Sequence, residues 1–321
     1  MFRGKASAVI IAALVFHSGV ACSQTYPTRA IRVLAPTIGG GIDVIARIIS
    51  PYLTASLGQP IVIDNRGGAG GLLAADAVIR ANPDGYTLLY YGPPAWMNPL
   101  IKKSVTYDPL KDLLPIVHVS RIPNLLVVHP SVPVKTVKGL IELAKSKPGQ
   151  LFDAGSDTGS SAHLCAEMFK SMAGISIVRV PYKGVGAGVT ALVSGEVHMM
   201  MPAVSAAMPH VKTGRLRALG VSTAEPTVLA PGMPTIAASG LPGFSFESGN
   251  AFFAPAGTPP AIVTRLNEEI NRVLQKPEVR ERLVLTGTEV TGGTPQHAAD
   301  AIRQEMIKLG KLIKDIGIQE D

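Results

Sequence analysis

Apolar runs of four to eight residues alternate along this chain with stretches in which apolar positions return every three or four residues, the periods of strand and helix. The runs at residues 31–35, 60–64, 87–91, 125–128, 177–181, 197–201, 216–221 and 246–254 read as strands. The stretches at 44–57, 72–81, 137–146, 162–173, 187–194, 260–275 and 295–316 read as amphipathic helices. Strand-like runs interspersed with helical stretches along the whole chain predict an α/β fold of two lobes, each a mostly parallel sheet flanked by helices. Punctuation suggests where the lobes divide: Arg121-Ile122-Pro123-Asn124 precedes one strand and Gly240-Leu241-Pro242-Gly243 precedes another. If both are crossings, residues 24–124 and 246–321 form the first lobe and 125–245 the second, with the two terminal helices packed on the first.

Where the first run ends, Pro36-Thr37-Ile38-Gly39-Gly40-Gly41 leads through Ile42 and Asp43 into a helix. Glycines let the backbone turn tightly and leave the first N–H groups of the helix uncovered, and a helix N-terminus at the carboxyl end of a strand attracts anions. A second such loop, Gly155-Ser156-Asp157-Thr158-Gly159-Ser160-Ser161, opens the helix near Ala162 with hydroxyls that can cap it or donate to a carboxylate. Tyr182-Lys183-Gly184 follows another strand, at the end where α/β sheets place ligands. The candidate ligand-binding residues are therefore Pro36, Thr37, Ile38, Gly39, Gly40, Gly41 and Asp43, then Ser156, Asp157, Thr158, Gly159 and Ser160, then Tyr182 and Lys183. A structural turn, simple helix capping and a solvated surface lysine are the competing readings.

The start of the chain adds a compartment. Arg3 and Lys5, an apolar run from Ala8 to Phe16, and small residues up to Ala21-Cys22-Ser23 follow the order of a signal peptide. The run is well short of the ~20 apolar residues of a membrane span. Ala21 and Ser23 fit cleavage that leaves Gln24 first and the protein free in the periplasm. Cys22 offers a rival reading as a lipid anchor, against which Gly19 stands where a lipobox usually has Leu. Arg3 and Lys5 leave with the signal, so the formal charge of +7 falls by two. A mildly basic protein attracts anions in general. Scattered Lys and Arg, 5% aromatic residues and no basic–aromatic motif point away from nucleic acid. Loss of Cys22 leaves Cys165 without an intramolecular partner, so stability rests on core burial.

Several chemical motifs fail on physical grounds. Asp157-Thr158-Gly159 matches the local signature of an aspartic protease, but that chemistry needs two carboxylates sharing a proton inside an all-β scaffold. His163 and Glu167 stand one helical turn apart beside Cys165, too few ligands for a metal, and no Cys or His pair has zinc spacing. Neither Gly39–Gly41 nor Gly67-Gly68-Ala69-Gly70-Gly71 completes a dinucleotide or phosphate-loop fingerprint, and no Gly-x-Ser-x-Gly elbow occurs. No cofactor or metal is expected.

An ordered set of motifs remains: Tyr26-Pro27-Thr28-Arg29, Gly39-Gly40-Gly41 with Asp43, Asn65-Arg66 with Gly68-Ala69-Gly70-Gly71, Pro83-Asp84-Gly85-Tyr86-Thr87-Leu88 and Tyr107-Asp108-Pro109. Gly159-Ser160 with His163-Leu164, Val180-Pro181-Tyr182-Lys183-Gly184, Gly214-Arg215-Leu216-Arg217-Ala218-Leu219 and Ala254-Pro255-Ala256-Gly257-Thr258-Pro259 continue it. In this combination the chain resembles the periplasmic substrate-binding proteins of tripartite tricarboxylate transporters, the Bug family. The resemblance implies a two-lobed fold that closes on a small carboxylate, gripped by the loops at 36–43 and 155–160 partly through water, and delivers it to membrane transporter subunits as a monomer. It also marks departures: the first loop is one residue short, with Thr37-Ile38 where an aromatic and a small or proline residue are common. Ile42 replaces Thr or Ser, Gly249 falls where Trp is frequent, and His198 where Asp is usual.

Binding without chemistry is energetically sufficient. Charge-assisted hydrogen bonds of roughly 1.5–3 kcal/mol each, with roughly 0.3–1 kcal/mol from a helix terminus, approach the ~8 kcal/mol of micromolar affinity in four or five contacts. Two other function classes stay open at this level: a sensor that presents occupancy to a receptor, and a serine hydrolase using Ser160 or Ser161 with His163, which lacks an evident group to orient the imidazole.

Overall fold

The computed structural model describes residues 26–36, 38–39, 41–68, 71–156 and 158–318. The expected signal segment with Cys22 and Gln24, and the candidate residues Thr37, Gly40 and Asp157, lie outside the described residues. The chain runs β1 (Ile31–Ala35), α1 (Gly41–Leu57), β2 (Ile61–Asn65), α2 (Leu72–Ile79), β3 (Thr87–Tyr91), α3 (Pro94–Ile101) and β4 (Leu113–Pro123). It continues through β5 (Leu125–Val128), α4 (Val137–Ser146), β6 (Phe152–Gly155), α5 (Ser161–Ala173), β7 (Val178–Pro181), α6 (Gly184–Ser194), β8 (Met199–Met200), α7 (Val204–Lys212) and β9 (Arg217–Val221). β10 (Glu247–Pro255), α8 (Pro260–Leu274), α9 (Pro277–Leu285), β11 (Glu289–Val290) and α10 (Pro295–Ile316) complete it.

Two sheets result, in the orders β11-β4-β10-β3-β1-β2 and β7-β6-β8-β5-β9. β1 is almost wholly apolar because both faces of its sheet are covered, so no alternation is needed. It pairs in parallel with β2 and β3, Leu34 opposite both Asp64 and Leu89. The carboxyl ends of the three strands therefore share one edge, and the loops that follow open beside one another. In the second sheet β6 pairs in parallel with β7, Gly155 opposite Pro181, which sets the Ser156–Ser160 loop beside Tyr182-Lys183.

The two-lobed α/β architecture is as expected, with one correction to strand direction. Parallel order holds within β2-β1-β3 and β7-β6-β8, whereas β10 runs antiparallel to β3 and β4, and β5 antiparallel to β8 and β9. The antiparallel strands are those nearest the passages between sheets. The chain enters the second sheet at Asn124 and returns by β10, and the two passages are tied together: Asn124 N–H donates to Ser222 Oγ at 2.9 Å, and Ser222 Oγ–H donates to the Phe246 carbonyl at 2.6 Å. Asn124 Nδ2 adds a bond of 2.7 Å to the Met201 carbonyl. A fully buried node of short side chains thus sits where the lobes join.

Three apolar clusters hold the layers. One lies under α1, α8 and α9 of the first lobe, and one under α6 and α7 of the second. The third is shared: Leu34, Trp96 and Phe253 of the first lobe are continuous with Leu126, Leu164 and Phe169 of the second, through Ile302, Leu309 and Ile313 of α10. α10 packs on β4 and α3 and also reaches α5, so it bridges the lobes. Among the described residues no helix is long and apolar enough to cross a membrane.

Candidate functional site

Each glycine loop is locked by a side chain from the first turn of the helix it opens. In the first loop Gly39, at φ +70°, donates its N–H to Asp43 Oδ2 at 2.9 Å. Asp43 is only 3% exposed, and its other oxygen accepts from Arg47 Nε and Asn65 Nδ2, both at 3.0 Å. Burial alone would raise its carboxyl, but the bonds from Arg47, Gly39 and Asn65 more than offset this and hold it below the ordinary carboxylate range. Arg47 Nη2 closes the circuit on Asn65 Oδ1 at 2.9 Å. Asn65 comes from the end of β2, so the lock also fixes the neighbouring loop.

In the second loop Gly159, at φ +75°, donates its N–H to His163 Nδ1 at 3.0 Å. Nδ1 accepts, so the ring proton is on Nε2, which lies 3.7 Å from Glu167 Oε1. His163 is 3% exposed, and burial, then the charges of Arg179 and Lys170, push its pKa down to about 4. Ser160 caps α5 by accepting the His163 N–H, which leaves its hydroxyl proton for another acceptor. Thr158 is exposed beside it.

Beneath the second loop lies a set of buried charges. Arg179 of β7 donates from Nη2 to the Ser156 carbonyl at 2.5 Å and packs over Gly155, where any Cβ would collide with it. Lys170 bonds Glu167 at 2.6 Å and the Ile177 carbonyl at 3.3 Å, with Asp153 at 3.9 Å. Burial pushes Asp153 up to about 7 against the pull of Lys170. Among the described residues both Asp153 oxygens, Ser156 Oγ and Arg179 Nε are buried without a hydrogen-bond partner, a concentration of unmet polar demand that natural interiors seldom tolerate.

The remaining candidates sit around these locks. Pro36 is buried and Ile38 is 82% exposed at the loop tip. A Cβ on Gly67 would meet the Pro36 carbonyl at 3.1 Å, so the loops after β1 and β2 touch. The lobes meet at the second loop, where a Cβ on Gly159 would stand 3.0 Å from Ile101 Cδ1 of α3. Tyr182 packs its ring into the second-lobe cluster, and burial, then Glu196, raise its hydroxyl above the ordinary range. Lys183 is exposed at the start of α6. His163, Cys165 and Glu167 make no metal site, since no group of three such ligands converges among the described residues.

Comparison with known proteins now bears on this geometry. Residues 45–318 match the family model described as the tripartite tricarboxylate transporter family receptor. The chain belongs to this receptor family. It is 34% identical to the protein BugT of Bordetella pertussis over 314 residues, 96% of each chain. Among solved structures it is similar to the R. palustris protein Rpa4515 with adipate, at 37% identity and TM-score 0.76 over 92% of this chain and 99% of that one. It is also similar to MatC from Rhodopseudomonas palustris with bound malate, at 31% identity and TM-score 0.72 over 90% and 100% of the two chains.

For this receptor-family chain, three contacts of the site cannot be read from local sequence. Arg179 carries no motif, being one charged residue in a short strand, and only the pairing of β7 with β6 brings it under the loop. The spacing of His163 points to Glu167, yet its bond runs the other way, to a backbone amide four residues earlier. Asn65 had a signal in Asn65-Arg66, but the lock it forms with Asp43 joins residues 22 apart in sequence.

Proposed function

We propose that this chain is the periplasmic solute receptor of a tripartite transporter and holds a small carboxylate between its lobes, 24–124 with 246–321 on one side and 125–245 on the other. The observation that carries the reading is the pairing of two locked glycine loops, one per sheet, each at a strand's carboxyl edge and each opening a long helix. Because the glycine amides are already bound by Asp43 and His163, the carboxylate is left to the helix amides beyond them and to the Ser160 and Thr158 hydroxyls. Adipate and malate in similar structures support the ligand class. Closure follows if the ligand prefers the state in which both loops reach it, and about 5.5 kcal/mol of such preference turns a mostly open population into a mostly closed one.

The hydrolase alternative finds little support. His163 Nδ1 accepts from Gly159, Nε2 faces Glu167, and Ser160 Oγ accepts from a backbone N–H, so no nitrogen of the imidazole takes a serine proton. Titration calorimetry with linear carboxylic acids, joined to small-angle scattering, tests the receptor reading. Micromolar binding with a smaller radius of gyration is expected, and binding without compaction would remove the two-lobe grip. Intact mass of the periplasmic protein, expected to begin at Gln24, tests the compartment, and a diacylglyceryl mass on Cys22 would replace it with an anchored form.

A further inference from the structure

A cavity of about 310 Å³ lies where the lobes join, between α10 and the start of β10, and no glycine-loop residue lines it. Glu305 and Lys308 enter it from α10 one helical turn apart, the spacing of an ion pair, yet they do not bond each other. Lys308 Nζ donates instead to the Ser245 carbonyl, and Glu305 Oε2 accepts from Trp96 Nε1 at 3.1 Å. Glu305 Oε1 is buried and, among the described residues, has no partner. Burial pushes Glu305 up to about 8 against the pull of Trp96 and Lys308, so as acid or as carboxylate that oxygen has a bond unmade. His118 of β4 adds an acceptor. Thr291 gives its one hydroxyl proton to the His118 carbonyl at 2.7 Å, so the 3.2 Å contact of Thr291 Oγ1 with His118 Nδ1 is donated by the ring. Burial, then His297, pushes the ring down to about 4, which leaves Nε2 bare. The ring lies over Gly249, where a Cβ would stand 2.7 Å from Nε2 and collide with the Ser120 carbonyl, so glycine is what keeps the ring in the cavity wall. Phe246 and Leu309 supply an apolar side.

We propose that this cavity binds a zwitterion, a free amino acid, whose ammonium meets Glu305 and His118 Nε2 and whose carboxylate meets Lys308. The ammonium supplies donors to two acceptors that lack them, and the carboxylate takes the Lys308 N–H groups not used by Ser245. A ligand of no net charge leaves the balance of a half-enclosed site unchanged. A bare amine would add a cation beside Lys308, and a bare acid an anion beside Glu305 and Glu247. The side chain of the amino acid lies along Phe246 and Leu309. Its occupant spans the return passage at Ser245 and Phe246 and the bridging helix α10, so it is a ligand of the junction and not of the cleft.

The test is titration calorimetry on the chain from Gln24 with L-alanine, L-leucine and L-phenylalanine, and with the two halves of leucine, 3-methylbutylamine and 4-methylpentanoate. Binding belongs to this cavity where Ala301→Trp removes it, since that substitution fills the cavity from α10 and leaves the glycine loops intact. Circular dichroism checks the fold, and Gln304→Trp, at an exposed position of the same wall, serves if Ala301→Trp disturbs it. L-Leucine should bind there at least about tenfold more tightly than either half. Glu305→Gln should shrink its advantage over 4-methylpentanoate and Lys308→Met its advantage over 3-methylbutylamine, which a purely structural role of either residue would not do. A half that binds the cavity as tightly as leucine overturns the zwitterion and makes the site one for an amine or an acid. If none of the three amino acids shows binding that the tryptophan removes, the cavity is no amino-acid site, and the carboxylate receptor reading stands apart from that result.

Discussion

The two glycine loops are shaped by the same bond and made secure by different means. In each, a left-handed glycine gives its N–H to a side chain four residues on, Asp43 in the first lobe and His163 in the second. Asp43 is an anion that also holds Arg47 and Asn65, so its loop is pinned to the next one by charge-assisted bonds. His163 is a neutral ring whose proton faces Glu167, over buried charges that leave several polar atoms unmet. Among the described residues the Gly39 amide and the Asp43 carboxylate are thus fully engaged at the first loop, whereas unsatisfied polar atoms remain beneath the second.

The sharpest way to break the contrast is to remove each lock. Asp43→Ala strands an arginine, an amide side chain and a backbone N–H, and a loss of about 3 kcal/mol in urea unfolding is expected. His163→Ala strands the Gly159 N–H and leaves a small void, with a loss of about 2 kcal/mol. A larger loss at His163 would reverse the ranking of the two locks.

Acidity separates the loops next. His163 falls from 6.5 to about 4 on folding, so the unfolded chain binds the proton first; its contribution is complete above 6.5 and is lost as pH falls toward 4. Asp153 rises from 3.8 to about 7, so the folded chain keeps its proton; that contribution is complete below 3.8 and is lost as pH rises toward 7. The slopes oppose one another in one cluster. Asp153→Asn removes one of them, and the stability of this variant relative to the parent should climb by roughly 2–3 kcal/mol between pH 4 and 7. A flat difference would mean that Asp153 is not titrating in that window.

Finer substitutions sharpen the picture. Gly39→Ala and Gly159→Ala each force a left-handed residue at about 1 kcal/mol, but only the second presses on Ile101 of the opposite lobe. Scattering should therefore show impaired compaction with ligand for Gly159→Ala alone. Ser160→Ala removes the α5 cap for about 1 kcal/mol of stability, read from the urea midpoint.

Much of the framework was legible because its signals are local. β1, β3, β5, α4 and α10 begin and end where the apolar periods do, and both helix-opening loops were marked by small residues. β4 was not legible. Arg121-Ile122-Pro123 reads as punctuation, yet it closes an eleven-residue strand whose apolar positions do not alternate, since most of both faces is covered. α7 was hidden by Pro209 within it, and α9 by its weak division into apolar and polar faces. At the site, helix starts could be read, whereas the locks depend on backbone donors and on strand neighbours that sequence does not pair.

The bridging helix has a consequence for how the molecule comes into being. The surface shared by both lobes is sealed by Ile302, Leu309 and Ile313, far along the sequence from the strands and helices they cover, and the first sheet needs β10 at its centre. Neither half can complete its packing from its own stretch of sequence, so the native state forms through contacts between distant parts of the chain, and correspondingly slowly. A helix that packs on both halves at once ties their fates, so that whatever loosens α10 uncovers apolar surface in each lobe together.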